Sequence, residues 1–88
     1  MHVFIYYFSK LGVPRDDLES AIEDFLGSRG EVTGGGGGAT GGNIDIEIES
    51  EDAEQVIDEL REFLRSMTMP LDTIFDVEGR RKNLYDKP

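Results

Sequence analysis

Residues Asn43–Ser50 read NIDIEIES and alternate without a break. Ile44, Ile46 and Ile48 fall on one side of an extended chain, and Asp45, Glu47 and Glu49 on the other. Successive side chains of a strand point to opposite faces, so this pattern calls for a strand with one face on a core and one in water.

Ahead of this strand lie seven glycines within nine positions, Gly34 to Gly42. A phosphate-binding loop of the Walker type needs a lysine after the glycines and then a helix. Here no lysine follows and the next element is a strand, which removes the dinucleotide fingerprint as well. A nest of glycine N–H groups can hold an anion, but three carboxylates on the next strand would repel it. An interdomain linker fails too, because the glycines lie between two strands of one small sheet. The expectation is therefore a long hairpin loop joining a short strand at Gly30–Thr33 to the alternating strand. Lengthening a loop costs only logarithmically, and glycine accepts any turn. Such a loop is either filler or a binding element that orders on contact, and filler is favoured because glycine offers no side chains to read a partner.

The remaining elements follow from periodicity. Residues 2–8 are apolar on both faces, which predicts a central strand with Val3, Ile5 and Tyr7 on one side and Phe4, Tyr6 and Phe8 on the other. Leu18, Ala21, Ile22, Phe25 and Leu26 recur at helical spacing and predict a helix over 14–26, opened by Pro14 and followed by Gly27. Ala53, Val56, Ile57, Leu60, Phe63, Leu64 and Met67 predict a second helix over 51–67, with Ser50 as its N-cap. Strands near 73–78 and 80–85 flank a tight turn at Glu78-Gly79. The order β-α-β-β-α-β with an extra C-terminal strand predicts an α+β, two-layer, ferredoxin-like sandwich in a single domain, 1–88.

With 19 acidic against 9 basic residues, the 88-residue chain carries a net charge of −10. That argues against nucleic acid and anionic membranes; it favours a cationic partner, and simple solubility accounts for it equally well. The chain has no cysteine, so disulfides and thiolate metal sites are excluded. The only long apolar run is VFIYYF, too short for a spanning helix and unlike a signal peptide, so the expectation is a soluble, unexported, cytoplasmic protein. His2 is the single histidine and has no nucleophile or orienting acid paired with it by spacing. Asp45, Glu47 and Glu49 lie about 7 Å apart along one face, a poor fit to one ion, and no calcium-loop pattern accompanies them. No enzyme, cofactor or metal is expected.

In the predicted order the first and third strands are neighbours. If Val3, Ile5 and Tyr7 join the isoleucines under the helices, Phe4, Tyr6 and Phe8 lie beside Asp45, Glu47 and Glu49 on the uncovered face. Exposed aromatic patches often mark interaction sites. RNA-binding sheets ring such aromatics with basic residues, whereas acids ring these and favour a basic protein surface. The competing expectation is that RRKNLY folds back, with Arg80, Arg81 and Lys82 neutralising those carboxylates within the chain.

The run GEVTGGGGGATGGNIDIEIE, followed by an acidic helix and DTIFDVEGRRKNLY, resembles small bacterial proteins with a ferredoxin-like fold, some of them similar to immunity proteins that neutralise the toxin of a neighbouring cell. The resemblance implies a non-enzymatic inhibitor that docks on a toxin, and the negative charge favours a basic one. A second expectation, from a different class, is a dimeric regulatory domain that senses a small molecule.

Overall fold

Ile44, Ile46 and Ile48 are fully buried or nearly so, as their alternation requires. They lie in β3 (Gly41–Ile48) of a computed structural model that describes residues 1–38 and 41–86. The other strands are β1 (His2–Tyr7), β2 (Gly30–Gly38), β4 (Ile74–Val77) and β5 (Arg80–Asn83). They form one sheet in the order β2-β3-β1-β4-β5, antiparallel at every junction, with β1 in the centre. Two helices, α1 (Arg15–Leu26) and α2 (Ala53–Ser66), make the second layer, and the whole is an α+β arrangement of a five-stranded sheet and two helices.

Register fixes which side chains share a face. Val3 stands opposite Ile46 and Val77, and Ile5 opposite Ile44 and Phe75. These residues and Tyr7 form one core with Leu18, Ile22 and Leu26 of α1 and Val56, Ile57, Leu60 and Leu64 of α2. The helical stripes pack as their spacing predicts, and Phe25 stacks on Phe63 at 4.5 Å where the two helices meet. Burying one such aliphatic side chain contributes about 1.5–3 kcal/mol, so the stripe decides the helix orientation.

Helix entries differ in detail from the sequence expectation. Pro14 is the cap residue of α1, its carbonyl accepting from Leu18 N–H at 3.1 Å. Ser50 does not cap α2. Its Oγ accepts from Asp52 N–H at 3.2 Å, closing a turn ahead of a helix that starts at Ala53. A serine oxygen reaches the amide two residues on as readily as a helix amide, and here the turn takes it. Gly27 adopts φ 57° at the end of α1, where its N–H bonds to Glu23 O.

The larger departure is the glycine run. It is not a loop: β2 continues from Gly30 through Gly38 and pairs with β3 along its length, Gly38 standing opposite Gly41. Of the residues expected in the loop, Gly34–Gly38 and Gly41 and Gly42 are strand, and Ala39 and Thr40 lie outside the described residues. Thr33 sits at a bulge between Val32 and Gly34, which separates the GEV half of the strand from the glycine half. At the far edge β5 pairs with β4 as expected. Beyond it, Leu84 is fully buried, and Arg61 and Arg65 of α2 donate to its carbonyl at 3.2 and 2.8 Å. Among the described residues no helix is long and apolar enough to cross a membrane.

Candidate functional site

The helices cover the face that carries Val3, Ile5 and Tyr7, which leaves His2, Phe4 and Tyr6 of β1 on the other. Phe4 and Tyr6 are half-buried and His2 is exposed. Their rings stack in file along the central strand, His2 on Phe4 at 6.0 Å and Phe4 on Tyr6 at 6.3 Å. Residues two apart on one strand share a face, so this file needs no distortion of β1.

On one side of the file stands β3. Phe4 is directly opposite Asp45, Tyr6 opposite Asn43, and His2 opposite Glu47. Asn43 Nδ2 donates to Asp45 Oδ1 at 2.8 Å, and no basic side chain among the described residues pairs with Asp45. Glu47 Oε2 lies 3.2 Å from His2 Nδ1 but outside hydrogen-bonding geometry, so this buried oxygen has no hydrogen-bond partner. Glu47 Oε1 lies 3.7 Å from the N-terminal amine, so of the two carboxylates it is Asp45 that keeps acceptor capacity on this face. Among the described residues no group of three or more His, Cys, Asp or Glu side chains is close enough to hold a metal ion.

On the other side stand β4 and β5. Asp76 lies opposite both Phe4 and Arg81 and is only 4% exposed. Its Oδ1 accepts from Gly79 N–H at 2.8 Å and its Oδ2 from Arg81 Nε at 3.2 Å, so it ties the Glu78-Gly79 turn to the sheet. The Arg81 guanidinium sits 4.9 Å from the centre of the Tyr6 ring, a cation–π contact worth about 0.5–1 kcal/mol at an exposed site. Of the three basic residues expected to fold over this face, only Arg81 does so. Arg80 and Lys82 occupy the alternate register positions opposite Val77 and Phe75, and line a cleft with Glu54, Asp58 and Arg61 of α2.

The six residues singled out from sequence thus divide. Phe4, Tyr6, Asp45 and Glu47 form one surface. Phe8, 59% exposed, lies past the end of β1, and Glu49 lies past the opposite end of the β1–β3 pair. The β1–β3 register runs antiparallel, from His2–Glu47 to Tyr7–Gly42, which carries Phe8 and Glu49 apart. Asp76 and Arg81 also belong to the surface; sequence shows Asp76 only as a member of a hairpin, and Arg81 only as one of three basic residues expected to fold over the face.

Arg15 has a role that no sequence signal announced. From the start of α1 its guanidinium donates to Tyr7 Oη at 3.0 Å, to Gly36 O at 2.7 Å and to Glu19 Oε1 at 3.0 Å. Burial opposes its charge, but the bonds and charges of Tyr7 and Glu19 outweigh that and raise its pKa above the ordinary guanidinium value. Glycine makes the contact possible: a Cβ on Gly35 would stand 2.5 Å from Arg15 Nη2, and one on Gly42 would stand 2.7 Å from Tyr7 Oη. Gly35 also adopts φ 138°, a region that side chains rarely enter.

Compared with protein-family models, curated proteins and solved structures, the chain matches none of them. Its functional reading therefore stands on the chemistry of this face.

Proposed function

We propose that this chain is a non-enzymatic protein-binding module on a ferredoxin-like frame, and that its uncovered sheet face docks on a basic protein, as an immunity protein docks on a toxin. The order β2-β3-β1-β4 supports the ferredoxin-like assignment, with β5 extending the sheet past β4. One observation carries the functional reading. The stacked file His2–Phe4–Tyr6 runs beside the carboxylates of Asp45 and Glu47, and Asp45 has no basic partner among the described residues.

A lysine or arginine from a partner would find a carboxylate on β3 and a ring face on β1 within one side-chain reach, which combines ion pairing with cation–π attraction. Arg81 already makes such a contact with Tyr6 and Asp76 inside the chain and serves as a template for it. The net charge of −10 would steer a basic partner towards the molecule and raise the association rate at low salt.

The test is a pull-down of the neighbouring gene's product across ionic strengths, with Phe4→Ala and Asp45→Asn in parallel. A partner whose capture falls with salt and with either substitution supports the reading. Absence of any salt-sensitive partner, or a dimer whose melting temperature rises with a metabolite, overturns it in favour of a sensor.

A further inference from the structure

We infer that the free edge of β2 accepts an extended segment rich in lysine or arginine as a sixth strand, whose basic side chains cross the glycines to reach Asp45. This edge adjoins the aromatic file and shares Asp45 with it. β2 is an edge strand, and no described residue pairs with its outer side. Natural edges are guarded by lysine, proline or a strong bulge. Gly30–Gly38 contains neither lysine nor proline, and its one bulge lies between Val32 and Gly34. In the regular stretch Gly34–Gly38 the outer side has no strand partner, although Gly36 O accepts from Arg15 at 2.7 Å, and such an edge binds an added strand through main-chain hydrogen bonds.

Charge identifies the occupant. Gly34 stands opposite Asp45 and Gly36 opposite Asn43. A Cβ at Gly34 would meet only Asp45 Oδ2, at 3.8 Å, and at Gly36 or Gly38 it would meet nothing within 4 Å. The glycines therefore leave an empty trough on this face, with a carboxylate on its inner wall. An added strand would lie roughly 10 Å from β3, two strand spacings. A lysine or arginine stem can span that gap because nothing stands in between. At the start of β2, Glu23, Asp24, Glu31 and Glu49 line a hollow and extend the negative surface along the edge. Exposed Asp16 and Asp17 begin α1, the helix packed against β2. A second copy of the chain does not suit the edge, since it would set these acids and a second charge of −10 against their own kind.

The probe is a synthetic peptide alternating lysine with threonine, compared with the same peptide carrying glutamate for lysine and with one whose alternate amides are N-methylated. Binding is followed by fluorescence anisotropy, and hydrogen exchange is read at the amides of Gly34–Gly38. The lysine peptide is expected to bind and slow that exchange, the glutamate peptide to fail, and N-methylation to abolish binding. Asp45→Asn should weaken binding about two- to fivefold, the range for one accessible ion pair. Gly36→Val, whose Cβ would meet nothing within 4 Å, should block the crossing while the fold, checked by circular dichroism, is kept. Equal binding of the N-methylated peptide, no binding of the lysine peptide at low salt, or self-association through β2 would overturn the inference. Because Asp45 serves both sites, Tyr6→Ala distinguishes them: it should impair the docking face and leave peptide binding at the edge intact.

Discussion

Two glycines one residue-pair apart give opposite predictions. A Cβ placed on Gly42 would stand 2.5 Å from Gly36 O, 2.7 Å from Gly37 Cα and 2.7 Å from Tyr7 Oη. Comfortable carbon contacts lie at about 3.5–4.0 Å, so the overlap approaches 1 Å. Two of the three atoms are backbone of the paired strand and cannot swing away, which means the strands must part. Overpacking of this kind costs about 1–3 kcal/mol, and Gly42→Ala should lose that much. At Gly36 a Cβ would meet nothing within 4 Å. Gly36→Ala should gain about 0.4–1 kcal/mol, by restricting the unfolded chain. The two variants should therefore differ by at least about 1.4 kcal/mol, or roughly 6 °C in melting temperature for a domain of this size. Urea and thermal melts followed by circular dichroism would read the difference. Gly37→Ala should fall between them, since it meets side-chain ends, Tyr7 Oη at 2.9 Å and Arg15 Nη1 at 3.0 Å, and Tyr7→Phe should relieve part of its cost. Identical melts for Gly42→Ala and Gly36→Ala would refute the reasoning, because a slack loop would not distinguish them.

Other substitutions test the remaining contacts. Arg15→Met should cost about 1–2 kcal/mol, given that its bonds to Tyr7, Gly36 and Glu19 are charged but partly exposed, and should speed hydrogen exchange in β2 more than in β1. Its raised pKa means that this stability is complete below the guanidinium's unfolded value and lost only as pH climbs through the folded one, so the deficit should be equal between about pH 6 and pH 9. Asp76→Ala should cost about 1–3 kcal/mol by leaving the Gly79 N–H and Arg81 without their acceptor, while Asp76→Asn should cost less because its carbonyl can still serve Gly79; chemical denaturation compares the two. Ile46→Ala, at a fully buried position, should cost about 2–5 kcal/mol in the same assay.

Periodicity made most of this architecture readable in advance. The isoleucines of β3 and the two helical stripes each name the face they bury, and the burial pattern agrees; β1, apolar on both faces, names none, and the structure turns Val3, Ile5 and Tyr7 to the helices. The glycine run carries no such record. With no side chain, Gly34–Gly38 has neither alternation nor β-propensity, and its strand character comes from the β3 backbone and from Arg15 and Tyr7 beneath it. The candidate face was half legible. Phe4, Tyr6, Asp45 and Glu47 follow from alternation on two neighbouring strands, whereas register alone places Asp45 opposite Phe4 and sends Phe8 and Glu49 to opposite ends. The sequence points to Arg80, Arg81 and Lys82 alike as covering the face, and the β4–β5 register selects Arg81 and turns Arg80 and Lys82 away.

The docking face is tested most directly by recording amide and side-chain NMR shifts of labelled protein as a salt-sensitive basic partner is added. The account predicts that the largest changes fall on Phe4, Tyr6, Asp45 and Glu47 and fade as salt rises. Changes centred on the exposed surfaces of α1 and α2, with the aromatic file undisturbed, would contradict it.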